Sequence, residues 1–158
     1  MERVDRIWKH PHYQRCLAKI QELEKEREFC RHTPEHFLDV ARLTYIFALE
    51  RGMSVDKSVI YGAALLHDIG RFRQYEDGTP HDVASVEIAK KLLPECGYSP
   101  AETEQIVEMI ASHRCKSQKE DLNGLFYKAD KMSRSCYSCP AESECNWARE
   151  KKNLQIRY

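Results

Sequence analysis

The stretch Val59-Ile60-Tyr61-Gly62-Ala63-Ala64-Leu65-Leu66-His67-Asp68-Ile69-Gly70-Arg71 decides how this chain is read, because an almost wholly apolar helical run ends on a histidine beside a carboxylate. A segment apolar on nearly every side belongs at the centre of a domain. Ionisable groups are rarely placed there without a bound partner. Ser54 or Asp56 opens this central helix, and His67 and Asp68 close it.

Working outward, glycine and proline are sparse, β-branched alternation is nearly absent, and apolar residues recur at helical spacing, which predicts an all-α fold. A first charged helix is expected over about 11–29. Thr33-Pro34 then offers an N-cap followed by proline at the first helical position. On the helix that follows, to about Glu50, His36, Val40, Leu43 and Phe47 fall on one side. Asp77-Gly78-Thr79-Pro80 is a turn signal, so 71–80 reads as a loop leading to His81. His81, Ala84, Ser85, Ile88 and Leu92 mark the inner face of the next helix, which Pro94 and Gly97 end. Ser99-Pro100 starts another, with Ile106, Met109, Ile110 and His113 on its apolar side. Leu122, Phe126 and Asp130 repeat at steps of four, placing a carboxylate where the pattern asks for a hydrophobe.

With 158 residues the chain has the size of one ordinary domain. Lys+Arg and Asp+Glu both number 25, so no global field draws it to extended nucleic acid or an anionic membrane. No apolar run approaches a bilayer span, and Met1 to Arg6 leads into no signal-peptide hydrophobic region, which predicts a soluble, cytoplasmic protein. The domain proper is expected over 1–135, with 136–158 a Cys-containing extension packed on it. Seven cysteines, odd in number and mostly scattered, argue against a disulfide scaffold. Cys16, Cys30, Cys96 and Cys115 read as reduced thiols.

Any single histidine on an apolar helix face is an ordinary core residue, but four histidines and two aspartates on the inner stripes of different helices would fill a core at great cost. A bound cation removes that cost. Mixed imidazole and carboxylate ligands suit Fe, Mn, Co, Ni or Zn, with Fe or Mn first, better than Ca or Mg.

The order of His36, His67-Asp68-Ile69-Gly70, His81, His113 and Asp130 resembles the HD-domain superfamily of metal-dependent phosphohydrolases over about residues 30–135. The resemblance implies a helical domain in which His36, His67, Asp68 and Asp130 ligate one metal. His81 and His113 resemble the six-ligand branch with a second metal, where the aspartate of the HD pair bridges both ions. Small bacterial diadenosine-tetraphosphate hydrolases are of that style; so are cyclic-dinucleotide phosphodiesterases, whose Gly-Tyr-Pro signature is missing here. The expected function is hydrolysis of a phosphoester or phosphoanhydride in a small phosphorylated metabolite or nucleotide, with Asp68 and Arg71 as catalytic residues. Alternatives are a di-iron oxygenase of the same superfamily and a non-catalytic metal-containing module. The oligomeric state is open, a homodimer included.

Arg71 is the first candidate to neutralise phosphate charge, ahead of Arg73, Arg114, Lys128 and Lys131. His32 reads either as a neighbour of the metal ligands or as a surface residue. Cys136, Cys139 and Cys145 form a C-x2-C-x5-C arrangement that the superfamily pattern does not require. A thiolate metal site would need a fourth ligand, such as Cys30, Cys115 or a histidine, brought in by the tail folding back. The reading taken is reduced, partly buried cysteines around an anchoring Trp147.

Overall fold

His10-Pro11, Thr33-Pro34, Asp56, Gly70, Pro80 and Ser99-Pro100 punctuate the chain into helices short enough to fold around a single buried one. A computed structural model describes residues 1–114 and 120–158. Its helices are α1 (Glu2–Lys9), α2 (Pro11–Leu23), α3 (Pro34–Glu50), α4 (Lys57–Leu66), α5 (Arg71–Glu76), α6 (His81–Glu95), α7 (Pro100–Ser112) and α8 (Leu122–Met132). Two short 3-10 turns, Cys136–Ser138 and Arg149–Lys151, follow. The fold is all-helical, with no strand among the described residues. No helix is long and apolar enough to cross a membrane.

Helix α4 is the hub. From Val59 to Leu66 every side chain except Tyr61 is buried, and α4 packs against α1, α3, α6 and α7. Two further pairs, α3 with α8 and α6 with α7, close around it. The starts of these helices are set locally. Thr33 accepts from the His36 N–H, Asp56 from Ser58, Asp121 from Gly124, and Ser99 forms a reciprocal capping box with Glu102.

Three boundaries differ from the sequence reading. A separate α1 precedes the first expected helix, held to the body by Arg3, which donates to Glu102 at 2.6 Å and to Ser58 Oγ at 2.5 Å. The helix expected over 11–29 ends at Leu23, because the next residue, Glu24, turns inward to hold His32. The loop expected over 71–80 begins only at Asp77: Arg71 to Glu76 contains no helix breaker and forms α5, and the turn is left to Gly78, whose φ of +78° suits glycine.

After α8 the chain returns across the body. Asn153 Nδ2 donates to the carbonyls of Lys131 and Arg134 at 2.8 and 2.9 Å, and Tyr158 stacks edge-on against Phe47 at 4.9 Å.

Candidate metal centre

All six residues singled out as ligands are buried, between 2% and 6% exposed except His67, which is fully buried. Five elements supply them. His36 comes from the first turn of α3, His67 and Asp68 from the turn that ends α4, His81 from the start of α6, His113 from the residue that closes α7, and Asp130 from α8.

The side chains fall into two groups that share one residue. His36, His67, Asp68 and Asp130 offer ligand atoms within 4.8 Å of one another, and so do Asp68, His81 and His113. Asp68 Oδ2 lies 3.1 Å from His67 Nε2 and 3.8 Å from His36 Nε2. Its other oxygen, Oδ1, lies 3.2 Å from His81 Nε2 and 3.6 Å from His113 Nε2. Asp130 Oδ1 completes the first group, 3.5 Å from His36 Nε2 and 3.7 Å from His67 Nε2.

Each imidazole is anchored through its far nitrogen. His67 Nδ1 donates to the Ala64 carbonyl at 2.7 Å and His113 Nδ1 to the Ile110 carbonyl at 2.5 Å, which turns both Nε2 atoms inward. His36 Nδ1 meets Ser133 Oγ at 3.0 Å. His81 Nδ1 lies 2.5 Å from Gln74 Oε1 and 2.7 Å from Arg71 Nη1. For His81 Nε2 to act as a ligand, Nδ1 must carry the proton and donate to Gln74.

Whether these residues suit a cation can be judged from what is left unpaired. Among the described residues five buried side-chain polar atoms have no hydrogen-bond partner, and three of them, His36 Nε2, His67 Nε2 and Asp130 Oδ1, point into the first group. Buried polar atoms are seldom abandoned in this way. A cation satisfies all three at once, and a mixed nitrogen and oxygen set is what divalent transition metals accept.

The electrostatics agree. Burial pushes the His36 imidazole down to about 4 and the His81 imidazole likewise to about 4, so both are neutral at pH 7. Burial would also lower His67, but the Asp68 and Asp130 carboxylates outweigh it and push that imidazole up to about 10. Burial works against ionising both aspartates, yet His67 and their other partners hold them well below the usual carboxylate range. In the metal-free protein the His67 proton therefore supplies the positive charge that a cation would bring. Its contribution to stability is complete below about pH 6.5 and is lost as pH rises through about 10. Cation binding at pH 7 should displace about one proton from this site, with affinity rising about tenfold per pH unit. Titration calorimetry in buffers of differing ionisation enthalpy measures this, and a release of zero protons would contradict it.

His32 lies beside the cluster and not on the surface. It is 5% exposed, its Nδ1 and its backbone N–H both bond Glu24, and its Nε2 is 3.5 Å from Asp68 Oδ2. Burial opposes ionisation of Glu24, but the His32 contacts and the Tyr75 hydroxyl hold it at about 2, a carboxylate that fixes the ring of His32. Glu24 escaped the sequence reading because a lone glutamate in a Glu- and Lys-rich helix carries no signal.

The basic candidates divide. Arg71, Arg114 and Lys131 line a cavity of about 540 Å³ that opens onto Asp68, His81, His113 and Asp130. Arg73 does not, being turned to Glu87 at 2.9 Å and Asp77 at 3.4 Å. Lys128 lies over the Phe47 ring instead. Arg27 and Arg134, which the sequence reading passed over, join the cavity wall. Cys115 lies outside the described residues.

Comparison with known proteins follows the same pattern. The HD domain family model matches residues 33–135. An uncharacterised protein of Clostridium beijerinckii is 44% identical over 158 residues, the full length of both chains. A bifunctional uridylyltransferase/uridylyl-removing enzyme of Bradyrhizobium diazoefficiens is 34% identical over 115 residues, 71% of this chain, which spans only 11% of that enzyme. The crystal structure of a predicted HD superfamily hydrolase from an uncultured Thermotogales bacterium superposes with a TM-score of 0.62 at 23% identity, covering 98% of this chain and 88% of that one. At that identity the likeness is one of fold.

Proposed function

This chain belongs to the HD-domain family, and from that premise we propose that it is a phosphohydrolase with a two-cation centre, acting on a small phosphorylated metabolite or a nucleotide. The observation that carries the reading is the division of Asp68, one carboxylate oxygen toward His36 and His67 and the other toward His81 and His113. One carboxylate shared between two ligand groups is the arrangement that suits a bridge between ions. The partial relative named for uridylyl removal supports a nucleotide-containing substrate, and the diadenosine-tetraphosphate hydrolase style remains one such choice. Fe or Mn fits the ligand set first.

Divalent cations bound here would supply Lewis acidity and a water acidic enough to ionise near neutral pH. The chain's own residues do the rest. Asp68 and Asp130 balance charge, and the anchored imidazoles fix the ligand directions. Arg71 presents its guanidinium from the first residue of α5 at the cavity wall, beside His81, where it can take a phosphate oxygen pair. Lys131 is tied to Asp130 Oδ2 at 2.5 Å and adds positive charge on the same wall. His32, its ring fixed by Glu24, faces the site with Nε2 and can receive a proton there.

The test is a metal-replete protein assayed over phosphomonoesters, phosphodiesters and dinucleoside polyphosphates. Arg71→Ala is expected to reduce kcat/KM by about 10- to 100-fold with cation content unchanged, as for loss of a charged phosphate contact. No turnover on any member of the panel with Fe, Mn, Co, Ni or Zn would overturn the reading.

A further inference from the structure

Four of the cysteines are arranged unlike core residues. Cys16 and Cys96 are buried among hydrophobic side chains, whereas Cys30, Cys139 and Cys145 are only half-buried, and with Cys136 they stand on the wall of the cavity that leads to the His/Asp centre. All four are free thiols. The chain brings them there from segments about a hundred residues apart. Arg134 Nη1 donates to the Arg31 carbonyl at 3.2 Å, fastening the segment before α3 to the tail after α8, and within that segment Arg27 Nε donates to the Cys30 carbonyl at 2.9 Å.

The tail winds in tight turns. Cys139 N–H bonds the Cys136 carbonyl, Glu142 that of Cys139, and Cys145 that of Glu142, at 3.1 to 3.3 Å. Residues three apart in such turns eclipse one another, so Cys136, Cys139 and Cys145 can return to one side. Lys152 Nζ pins the middle of the winding by donating to the Glu142 carbonyl at 2.7 Å. Arg27, Arg134 and Lys152 line the same wall, positive charge suited to a cluster of thiolates.

We propose that Cys30, Cys136, Cys139 and Cys145 ligate a [4Fe–4S] cluster on the wall of the cavity shared with the His/Asp centre. Four thiolates around one zinc at 2.3 Å would sit about 3.8 Å apart. Among the described residues the sets whose ligand atoms gather within 4.8 Å are the two His/Asp groups, and no trio of these thiols belongs with them. Four cysteine thiolates are the ligand set of a cube of irons and sulfides, and the four line one cavity wall. The cluster would staple the segment before α3 to the tail and so shape the entrance to the site.

The full-length chain, purified without oxygen and reconstituted with iron and sulfide, is expected to carry about four acid-labile sulfides, with about four irons beyond those at the His/Asp centre. Cys30→Ser and Cys139→Ser should each lose most of the sulfide, whereas Cys96→Ser and His67→Ala should keep it. Sulfide is the deciding quantity because iron alone could reside at the histidines. Zinc at the thiols without sulfide, no sulfide after reconstitution, or full sulfide in Cys30→Ser would each overturn the proposal. If a serine variant does not fold, the sulfide count of the wild-type protein and the electron paramagnetic resonance of its reduced form decide alone.

Discussion

Asp68→Asn is expected to lower the proposed phosphohydrolase activity by on the order of 10³-fold or more and to strip cations from both ligand groups, while the helical circular dichroism stays intact. The carboxylate is 3% exposed and stands between four imidazoles, with Oδ2 3.1 Å from His67 Nε2 and Oδ1 3.2 Å from His81 Nε2. Asparagine keeps the shape. It loses the charge that holds both groups together, and it turns an N–H₂ donor toward nitrogens that should face a cation. His81→Ala touches only the second group, so it should remove about one cation per chain and leave the first in place. Elemental analysis of the two variants beside the wild type separates one shared centre from two independent ones. Equal cation content in all three proteins would refute the bridging role of Asp68.

Gly70→Ala should destabilise the fold by about 3 kcal/mol, near the upper end for overpacking, and lower the melting temperature by roughly 10 °C. Gly70 has an ordinary φ of −83°, so conformational freedom is not the reason for glycine here. Space is. A Cβ at this position would stand 2.4 Å from the Ser85 backbone nitrogen and 2.7 Å from the Ala84 carbonyl carbon and Cβ, atoms of α6 that cannot swing aside. The Gly70 N–H meanwhile donates to Ser85 Oγ at 2.9 Å. This close approach sets the distance between the turn carrying His67 and Asp68 and the helix carrying His81, so the variant should also weaken cation binding. Thermal unfolding followed by circular dichroism measures the effect; a shift within two degrees of zero would show that α6 can retreat.

Much of the candidate site was legible because each candidate ligand extends a pattern that is itself local. His36 and Asp130 fall at helical steps from Val40 and Phe126, and His113 from Ile110, so periodicity alone turned them inward. His67 and Asp68 stood out as charges at the end of an apolar run. What was illegible depends on partners far along the chain. Glu24 is buried where His32 folds back onto it and the Tyr75 hydroxyl donates to it. Nothing in Arg71 to Glu76 separates a short helix from a loop until α6 and α2 are there to pack against it. Arg73 and Lys128 carry the same charge as Arg71, and their side chains are claimed by Glu87 and by the Phe47 ring.

By itself the sequence determined the all-helical architecture, the central place of 59–68 and the six candidate ligands, since burial periodicity and capping act over a few residues. Only the tertiary structure decided how the two oxygens of Asp68 are shared, which basic side chains face the cavity, and that Cys30 lines the same cavity wall as Cys136, Cys139 and Cys145. Those outcomes turn on the direction of single side chains from segments as much as a hundred residues apart, and packing, not local pattern, sets that direction.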